Sequence, residues 1–478
     1  MKKLIFLLFL SFIINAKPEK PNQIDQQIIN YTFNEDFDLA KKVAQEQIKQ
    51  NPNSPKYYYY YISVKILEYY QKVAELTPEN RAEGRKALNK EIIDYCETTI
   101  DKFDDSNFTT ENKFYYGMIY GYLARISGVD GSWWSAFRKG MTAKGIMEDI
   151  IKADSQFYDA YLMLGMLNYY SDRFSGVIGF IAKVLGFSGN REQGLRYFQL
   201  AYEKGNLTFG QSALTLIEVY SSLEDNKYAA LPYYENFLNK FPSNKRTLNA
   251  YCQDLMTTWN FNKVESLIKN DKQNLIEDYV KVRYYDLLGS SQQVIIFAED
   301  ALKDEKRLPR GAGNIRYNLV YNCWLIGDNN RVNKYEPALN EQSKERFNLN
   351  KNHEKESKWL HNLSVQMYNN KPLVEIENYI KTKPNLNNAK GFEDQYNLLV
   401  GAYYLDKNIY DKAEMFLKKS INATDNRDKY SAVRNLTEIY MRQNVDKAKV
   451  KTLLDVIDDL NNDRIKYRAK DLEKKYNL

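Results

Sequence analysis

The sequence predicts an all-α fold in which consecutive helices pair and stack along the chain. Apolar residues recur at helical spacing, and no segment alternates apolar and polar residues over the length of a strand. Two stretches also share one spaced pattern of bulky, glycine, aromatic and small residues. One copy comprises Tyr161, Leu164, Gly165, Gly194, Phe198 and Ala201, and the other comprises Val400, Gly401, Tyr404, Ala413 and Leu417. Such a pattern, with a period of about 34 residues, indicates stacked helix pairs.

Composition agrees with a long helical array. The 478 residues are 44% hydrophobic, which is enough for a large core, and 27% charged, which suggests a soluble surface. A repeat array spreads one core along its length, because each pair packs on its neighbours. The 40 tyrosines suit this arrangement, since a tyrosine ring packs between helices while its hydroxyl reaches water.

Residues 1–16 are predicted to be a signal peptide. Lys2 and Lys3 precede an apolar stretch from Leu4 to Ile14, and Ala16 stands before the expected cleavage point. About eleven apolar residues are too few for a bilayer span, which needs roughly 20. No cysteine lies near residue 16, so a lipoprotein anchor is not predicted. We therefore expect an exported chain, periplasmic or secreted, with no transmembrane span after cleavage.

The charge pattern does not predict a nucleic-acid-binding protein. The formal charge of +6 falls to +4 when the two lysines of the leader are removed. Lysines and acidic residues are interspersed along the chain, so no basic stripe is formed.

Repeat quality divides the rest of the chain into three predicted parts. Residues 17–245 read as an N-terminal array with an insertion near 172–190, since Gly165 and Gly194 are 29 residues apart instead of about twelve. Residues 246–385 keep the helical period but lose the consensus, and 386–478 recover it and end in a capping helix. The insertion at 175–189 is either a hydrophobic flap that docks on a partner or membrane, or a short helix that covers the core.

Residues that would carry catalysis are sparse. Cys96, Cys252 and Cys323 are widely spaced and lie among apolar neighbours, which favours buried free thiols over a disulfide framework. His353 and His361, the only two histidines, have no metal-ligand spacing. Phosphate-binding glycine loops and a GxSxG elbow are absent from the sequence. The chain is therefore predicted to be a non-enzyme without cofactor or metal.

Candidate partner-binding residues follow from the helix-pair geometry. Positions of the first helix that would face a groove are Asp159, Leu162, Met166 and Tyr169 on the Gly165 helix, and Gln395, Leu398, Ala402 and Leu405 on the Gly401 helix. The second set is apolar enough to predict packing between helices, whereas the first mixes charge and aromatic rings. Trp133 and Trp134 form a second candidate surface.

The chain resembles the tetratricopeptide-repeat (TPR) superfamily. The segments YDAYLMLGMLNYY and GNREQGLRYFQLA look like a group of exported bacterial TPR-containing proteins of undefined role, and are distantly similar to eukaryotic TPR proteins of the inclusion-body-clearance type. The resemblance implies a right-handed α-solenoid that binds peptides or proteins without catalysis. It is specific over residues 37–61, 158–242 and 390–425, and it transfers no fixed binding residues.

The sequence thus favours an exported, non-catalytic TPR scaffold that mediates protein–protein interaction in the cell envelope. The alternative is a helical glycan- or nutrient-binding protein, for which an exposed Trp133/Trp134 pair beside a cleft would argue. A third alternative is an enzyme whose carboxylates converge in one pocket.

Overall fold

The predicted all-α class is confirmed. The computed structural model describes residues 20–77, 79–172, 189–307, 311–386, 391–423, 425–443, 445–460 and 462–476. Over these ranges the chain forms helices packed in neighbouring pairs and contains no strand. No helix in these ranges is both long enough and apolar enough to cross a membrane. The predicted signal peptide at 1–16 and the body of the predicted insertion, 173–188, lie outside the described residues.

Contacts divide the chain into two compact units. Unit 1 comprises the residues up to Val73 together with Arg81–Ala213, and unit 2 comprises Ala74–Asn80 together with Leu214–Leu478. The division falls inside a helix, Phe209–Glu218. The predicted boundaries at 245/246 and 385/386 mark changes in repeat quality, which is a different criterion, and they stay predictions.

Unit 1 is built from eight helices in the described part of the chain. They are α1 (Gln23–Phe33), α2 (Phe37–Gln50), α3 (Pro55–Glu75), α4 (Arg81–Asp101), α5 (Thr110–Val129), α6 (Trp133–Ala153), α7 (Ala160–Asp172) and α8 (Arg191–Lys204), followed by the start of α9 (Phe209–Glu218).

The run of five tyrosines in α3 lies in the core of unit 1. All of Tyr57 to Tyr61 are buried, as expected for a helix enclosed by neighbours on both faces. Their hydroxyls need partners inside the core. Gln211 donates to the Tyr59 hydroxyl over 3.1 Å, and Tyr59 stacks on Tyr122 with 5.9 Å between ring centroids. The tyrosines thus fill this core with large rings, and the Tyr59 hydroxyl has a hydrogen-bond partner within it.

Unit 2 continues from the second half of α9, which ends in a π-helical turn at Val219–Leu223. Its further helices are α10 (Lys227–Lys240), α11 (Lys245–Thr257), α12 (Phe261–Asn270), α13 (Asp278–Leu287), α14 (Ser291–Ala301), α15 (Ala312–Leu325), α16 (Asn329–Tyr335), α17 (Glu341–Asn352), α18 (Glu354–Tyr368), α19 (Leu373–Ile380), α20 (Phe392–Asp406), α21 (Tyr410–Ser420), α22 (Asn426–Arg442), α23 (Lys447–Leu460) and α24 (Asp463–Tyr476).

The glycines of the sequence pattern lie where paired helices approach most closely. A Cβ built on Gly165 would stand 2.7 Å from the Phe198 ring, and one built on Gly194 would stand 2.8 Å from the backbone nitrogen of Tyr169. On the second copy, a Cβ at Gly401 would lie 2.6 Å from Leu417. Both copies of the pattern therefore mark a helix crossing that has no room for a side chain.

A common turn joins the two helices of many pairs. The first helix ends at a residue with positive φ, and the residue after it donates its N–H to the carbonyl five positions earlier in the chain. At the π-helical turn this hydrogen bond spans six positions. The N···O distances are 2.7–3.1 Å. This is the geometry of a Schellman C-cap. The positive-φ residues are Glu35 and Gly131 in unit 1, and Asp225, Trp259, Gly289, Gly327, Asn370 and Asn408 in unit 2. The turn therefore repeats at intervals of 30 to 43 residues through unit 2.

Candidate functional site

The candidate face on the Gly165 helix is packed inside unit 1. Asp159, Leu162 and Tyr169 are each fully buried, and Met166 is half-buried. The Asp159 carboxylate accepts hydrogen bonds from the backbone nitrogens of Asn206, Leu207 and Thr208 over 2.8–3.0 Å, and from the Thr208 hydroxyl over 2.8 Å. Asp159 therefore fixes the chain that leads into α9, and of this set only Met166 is partly exposed.

Trp133 and Trp134 are exposed at the start of α6. Their exposed fractions are 47% and 61%, and Val129 before them is 41% exposed. The Trp134 ring stacks on Phe137 with 5.8 Å between centroids. These residues form an aromatic surface patch on unit 1.

In unit 2, the first helices and the C-terminal helices meet. The Tyr430 hydroxyl on α22 donates to Asp225 over 2.9 Å, although the two residues are 205 positions apart, and Arg434 lies 3.8 Å from the same carboxylate. At the end of α22, about two turns further on, Arg442 stands over the Tyr228 ring at 4.6 Å. We call this set of five residues the closure contact.

Trp259 sits beside the closure contact in an unusual backbone conformation. Its φ is +61°, at a turn position that glycine or asparagine takes in four of the other turns of unit 2. A bulky residue is strained there, at a cost of about 1–3 kcal/mol, unless its surroundings hold it. Its ring packs on Tyr368 at 4.6 Å and Tyr403 at 5.9 Å between centroids. Aromatic packing between α11, α18 and α20 therefore holds the strained residue.

A second group of side chains gathers on α13, α15, α17 and α18. The Arg346 guanidinium on α17 lies 4.4 Å from the centre of the Tyr317 ring on α15, and Tyr317 stacks on Tyr321 at 5.9 Å. Asn350 donates to the Tyr317 hydroxyl over 2.9 Å. His361 on α18 meets the Tyr321 ring edge-on at 5.7 Å. The hydrogen bond and ring contacts hold Tyr317 in place under the guanidinium.

Arg283 and Asp286 on α13 complete this group. Arg283 donates to the side-chain oxygen of Gln253, and Asp286 accepts from Asn322 over 2.6 Å. Loss of surrounding water lowers the pKa of Arg283, despite the nearby Asp254 and Asp286. Burial likewise raises the pKa of Asp286. We name Arg283, Asp286, Tyr317, Tyr321 and Arg346 the arginine–tyrosine cluster.

The two arginines of the cluster lack ion pairs. Within the described ranges, no carboxylate oxygen lies within 4.0 Å of a nitrogen of Arg283 or Arg346. Both side chains are exposed to solvent. By contrast, Arg331 on α16 pairs with Glu299 at 3.0 Å and with Asp328 at 2.7 Å. The cluster thus presents two guanidinium groups with unused donors beside aromatic rings.

The remaining candidate chemical groups are enclosed. Cys96, Cys252 and Cys323 are buried free thiols, and burial raises the pKa of each, to about 12 for the first two and about 11 for the third. Burial lowers the pKa of His361 to about 4. In the described part of the chain, no three His, Cys, Asp or Glu side chains converge as metal ligands.

No family model matches the chain, and no curated protein matches it significantly.

The arginine–tyrosine cluster was missed by sequence reasoning. Its members come from α13, α15 and α17, inside the stretch 246–385 where the repeat consensus fades. The one available signal was arginine and tyrosine at corresponding positions of α13, α15 and α17.

The predicted packing positions Ala402 and Leu405 line a cleft at the closure contact, together with Trp259.

Proposed function

We propose that the chain is an exported, non-catalytic scaffold that folds as a right-handed α-solenoid of TPR-like helix pairs and binds a protein or peptide partner in the cell envelope. Two features support the solenoid. A common Schellman turn recurs through unit 2, and side-chain-free crossings lie at Gly165, Gly194 and Gly401. Stacked pairs give a large binding surface from simple local contacts.

The arginine–tyrosine cluster is the best-supported partner surface. It lies on three alternate helices of unit 2, and its two arginines have donors that no described carboxylate uses. Arginine and tyrosine are also the residue types that dominate protein interfaces energetically. One observation carries the proposal: the exposed Arg346 guanidinium lies over the Tyr317 ring, and the Tyr317 hydroxyl is held by a hydrogen bond from Asn350.

Site-specific photo-crosslinking in the native host tests this function. The photo-reactive residue p-benzoylphenylalanine replaces Tyr321 in the cluster, and in a matched variant it replaces Ile296, which is 55% exposed on α14. We expect a discrete crosslinked partner from position 321 and none from position 296. Equal crosslinking from both positions, or none from a folded and abundant protein, would contradict the proposal. N-terminal sequencing of the mature protein in the same cells tests cleavage after residue 16.

One observation favours the alternative of a glycan-binding protein. Trp134 presents its ring to solvent while stacked on Phe137, and sugar rings bind on such aromatic faces. A glycan array probed with the wild type and with Trp134→Ala decides this alternative. Binding that disappears in the variant supports it, and an empty array counts against it.

A further inference from the structure

In the described part of the chain, neither arginine of the arginine–tyrosine cluster has a carboxylate oxygen within 4.0 Å. Arg283 has a side-chain hydrogen bond to the neutral amide of Gln253, and Arg346 lies over the ring of Tyr317 at 4.4 Å. A guanidinium has five N–H donors in a planar fork that matches a carboxylate. Both arginines are exposed, so these donors are open to an anion supplied by a partner.

We propose that this cluster is a carboxylate-binding site, in which Arg283 and Arg346 bind an aspartate or glutamate side chain of an extended peptide partner. The proposal rests on the scaffold function above and specifies the chemistry of its partner. Tyr317 and Tyr321 form an aromatic wall beside the arginines, 5.9 Å apart and nearly parallel. Tyr317 is only 5% exposed and lies under the Arg346 guanidinium, so this wall orients the guanidinium and does not itself contact the partner.

The charges around the cluster favour one carboxylate over a polyanion. Asp286 lies within electrostatic reach of both arginines, and Asp428 lies within reach of Arg346. Nucleic acids and polyphosphates are attracted by a continuous basic surface, and these two carboxyl groups interrupt it. A single carboxylate needs only the directional N–H donors, which are present. The same N–H groups can also donate to a phosphate group, and the competition experiment below distinguishes the two ligands.

The probe is a displayed library of short random peptides, selected on the full chain. Selected peptides are then synthesised with each Glu replaced by Gln, and their affinities are measured by fluorescence anisotropy. We expect acidic peptides, and a loss of about 10- to 100-fold for the Gln peptides. Inorganic phosphate is added as a competitor, and we expect weaker competition from it than from the acidic peptide.

The protein variants separate the site from general charge effects. Arg283→Gln and Arg346→Gln should each lower the affinity of the acidic peptide by about 10-fold or more. Arg346→Lys should recover only part of it, because an ammonium group lacks the planar fork. Arg331→Gln removes the same charge from an ion-paired position in unit 2 and should leave the affinity unchanged. Circular dichroism and thermal unfolding verify that each variant is folded.

The possible results of the peptide selection distinguish a failure of the carboxylate site from a failure of the scaffold function. Selected peptides that are neutral or basic would overturn the carboxylate site while supporting the scaffold. Acidic peptides that bind both arginine variants as tightly as the wild type would place the binding elsewhere and overturn it too. Displacement by phosphate at lower concentration than by peptide would assign the site to a phosphate ligand. The absence of any selected peptide from a folded chain would overturn both proposals.

Discussion

The close crossing of α7 and α8 gives the sharpest test of the packing in unit 1. Replacement of Gly194 by alanine would place a Cβ 2.7 Å from the Tyr169 Cβ, 2.8 Å from its backbone nitrogen and 2.9 Å from its Cα. These atoms belong to a helix backbone or its first side-chain atom, so they cannot turn away as a flexible side chain could. The two helices have to separate for the methyl group to fit.

The expected magnitude follows from two opposing effects. Overpacking of a core costs about 1–3 kcal/mol, and a contact with backbone belongs at the upper end of that range. Alanine recovers about 1 kcal/mol, because it has a higher helix propensity than glycine. The free energy of unfolding should therefore fall by about 2 kcal/mol in Gly194→Ala, taking about 3 for the first effect and 1 for the second.

Gly145→Ala is the matched control, since it makes the same chemical change on a helix of the same unit. A Cβ at Gly145 meets nothing within 4 Å, so only the propensity effect remains. This variant should be more stable than the wild type by about 0.5–1 kcal/mol. Urea unfolding followed by circular dichroism, with both glycines reporting on unit 1, measures the difference. A neutral or stabilising Gly194→Ala, or shifts of the same sign in both variants, would refute the reasoning.

Three further predictions concern the buried and strained groups. Trp259→Ala should destabilise unit 2 by about 3 kcal/mol, because the ring packing on Tyr368 is lost. Trp259→Gly should be about 1 kcal/mol more stable than the alanine variant, because glycine tolerates the positive φ. Urea unfolding in which the alanine variant is the more stable of the two would contradict this. His361 has a pKa of about 4 in the folded chain and about 6.5 in the unfolded chain. Its contribution to stability is therefore present above pH about 6.5 and is lost as the pH falls to about 4, which lowers the free energy of unfolding by about 2–3 kcal/mol. If His361→Gln shows the same dependence of the free energy of unfolding on pH as the wild type, the assignment is contradicted. Asp159→Ala should lower the stability of unit 1 by about 3–5 kcal/mol because buried N–H groups lose their acceptor, and Asp159→Asn, which keeps an acceptor oxygen, should lose less in the same urea assay.

The fold class was predictable because the relevant signals are local. Helical periodicity and the glycines of the pattern both act within one or two turns of a helix. The same local signals located the crossings at Gly165 and Gly401, where the structure leaves no room for a Cβ. Such features depend on backbone geometry, which neighbouring residues determine.

The site was less predictable because it depends on distant residues. Asp159 was chosen as a polar position on a first helix, but its partners at 206–208 are nearly fifty residues away and are not evident from the helix itself. Arg283 and Asp286 lie on one helix, but Arg346 comes within electrostatic reach of Asp286 only after α13, α15 and α17 have packed together. Periodicity identifies which face of a helix is buried, but it does not identify which helices meet.

The closure contact has a consequence for the order in which unit 2 folds. Most contacts of a stacked array join neighbouring pairs and can form quickly, because little chain has to be brought together. The hydrogen bond from Tyr430 to Asp225 joins segments separated by 205 residues, so it carries the loop-closure entropy of almost the whole unit. It should form last and open first. During synthesis, Asp225 therefore cannot accept the hydrogen bond from Tyr430 until α22 has emerged. Over that interval we expect the first helices of unit 2 to be accessible to proteases and chaperones.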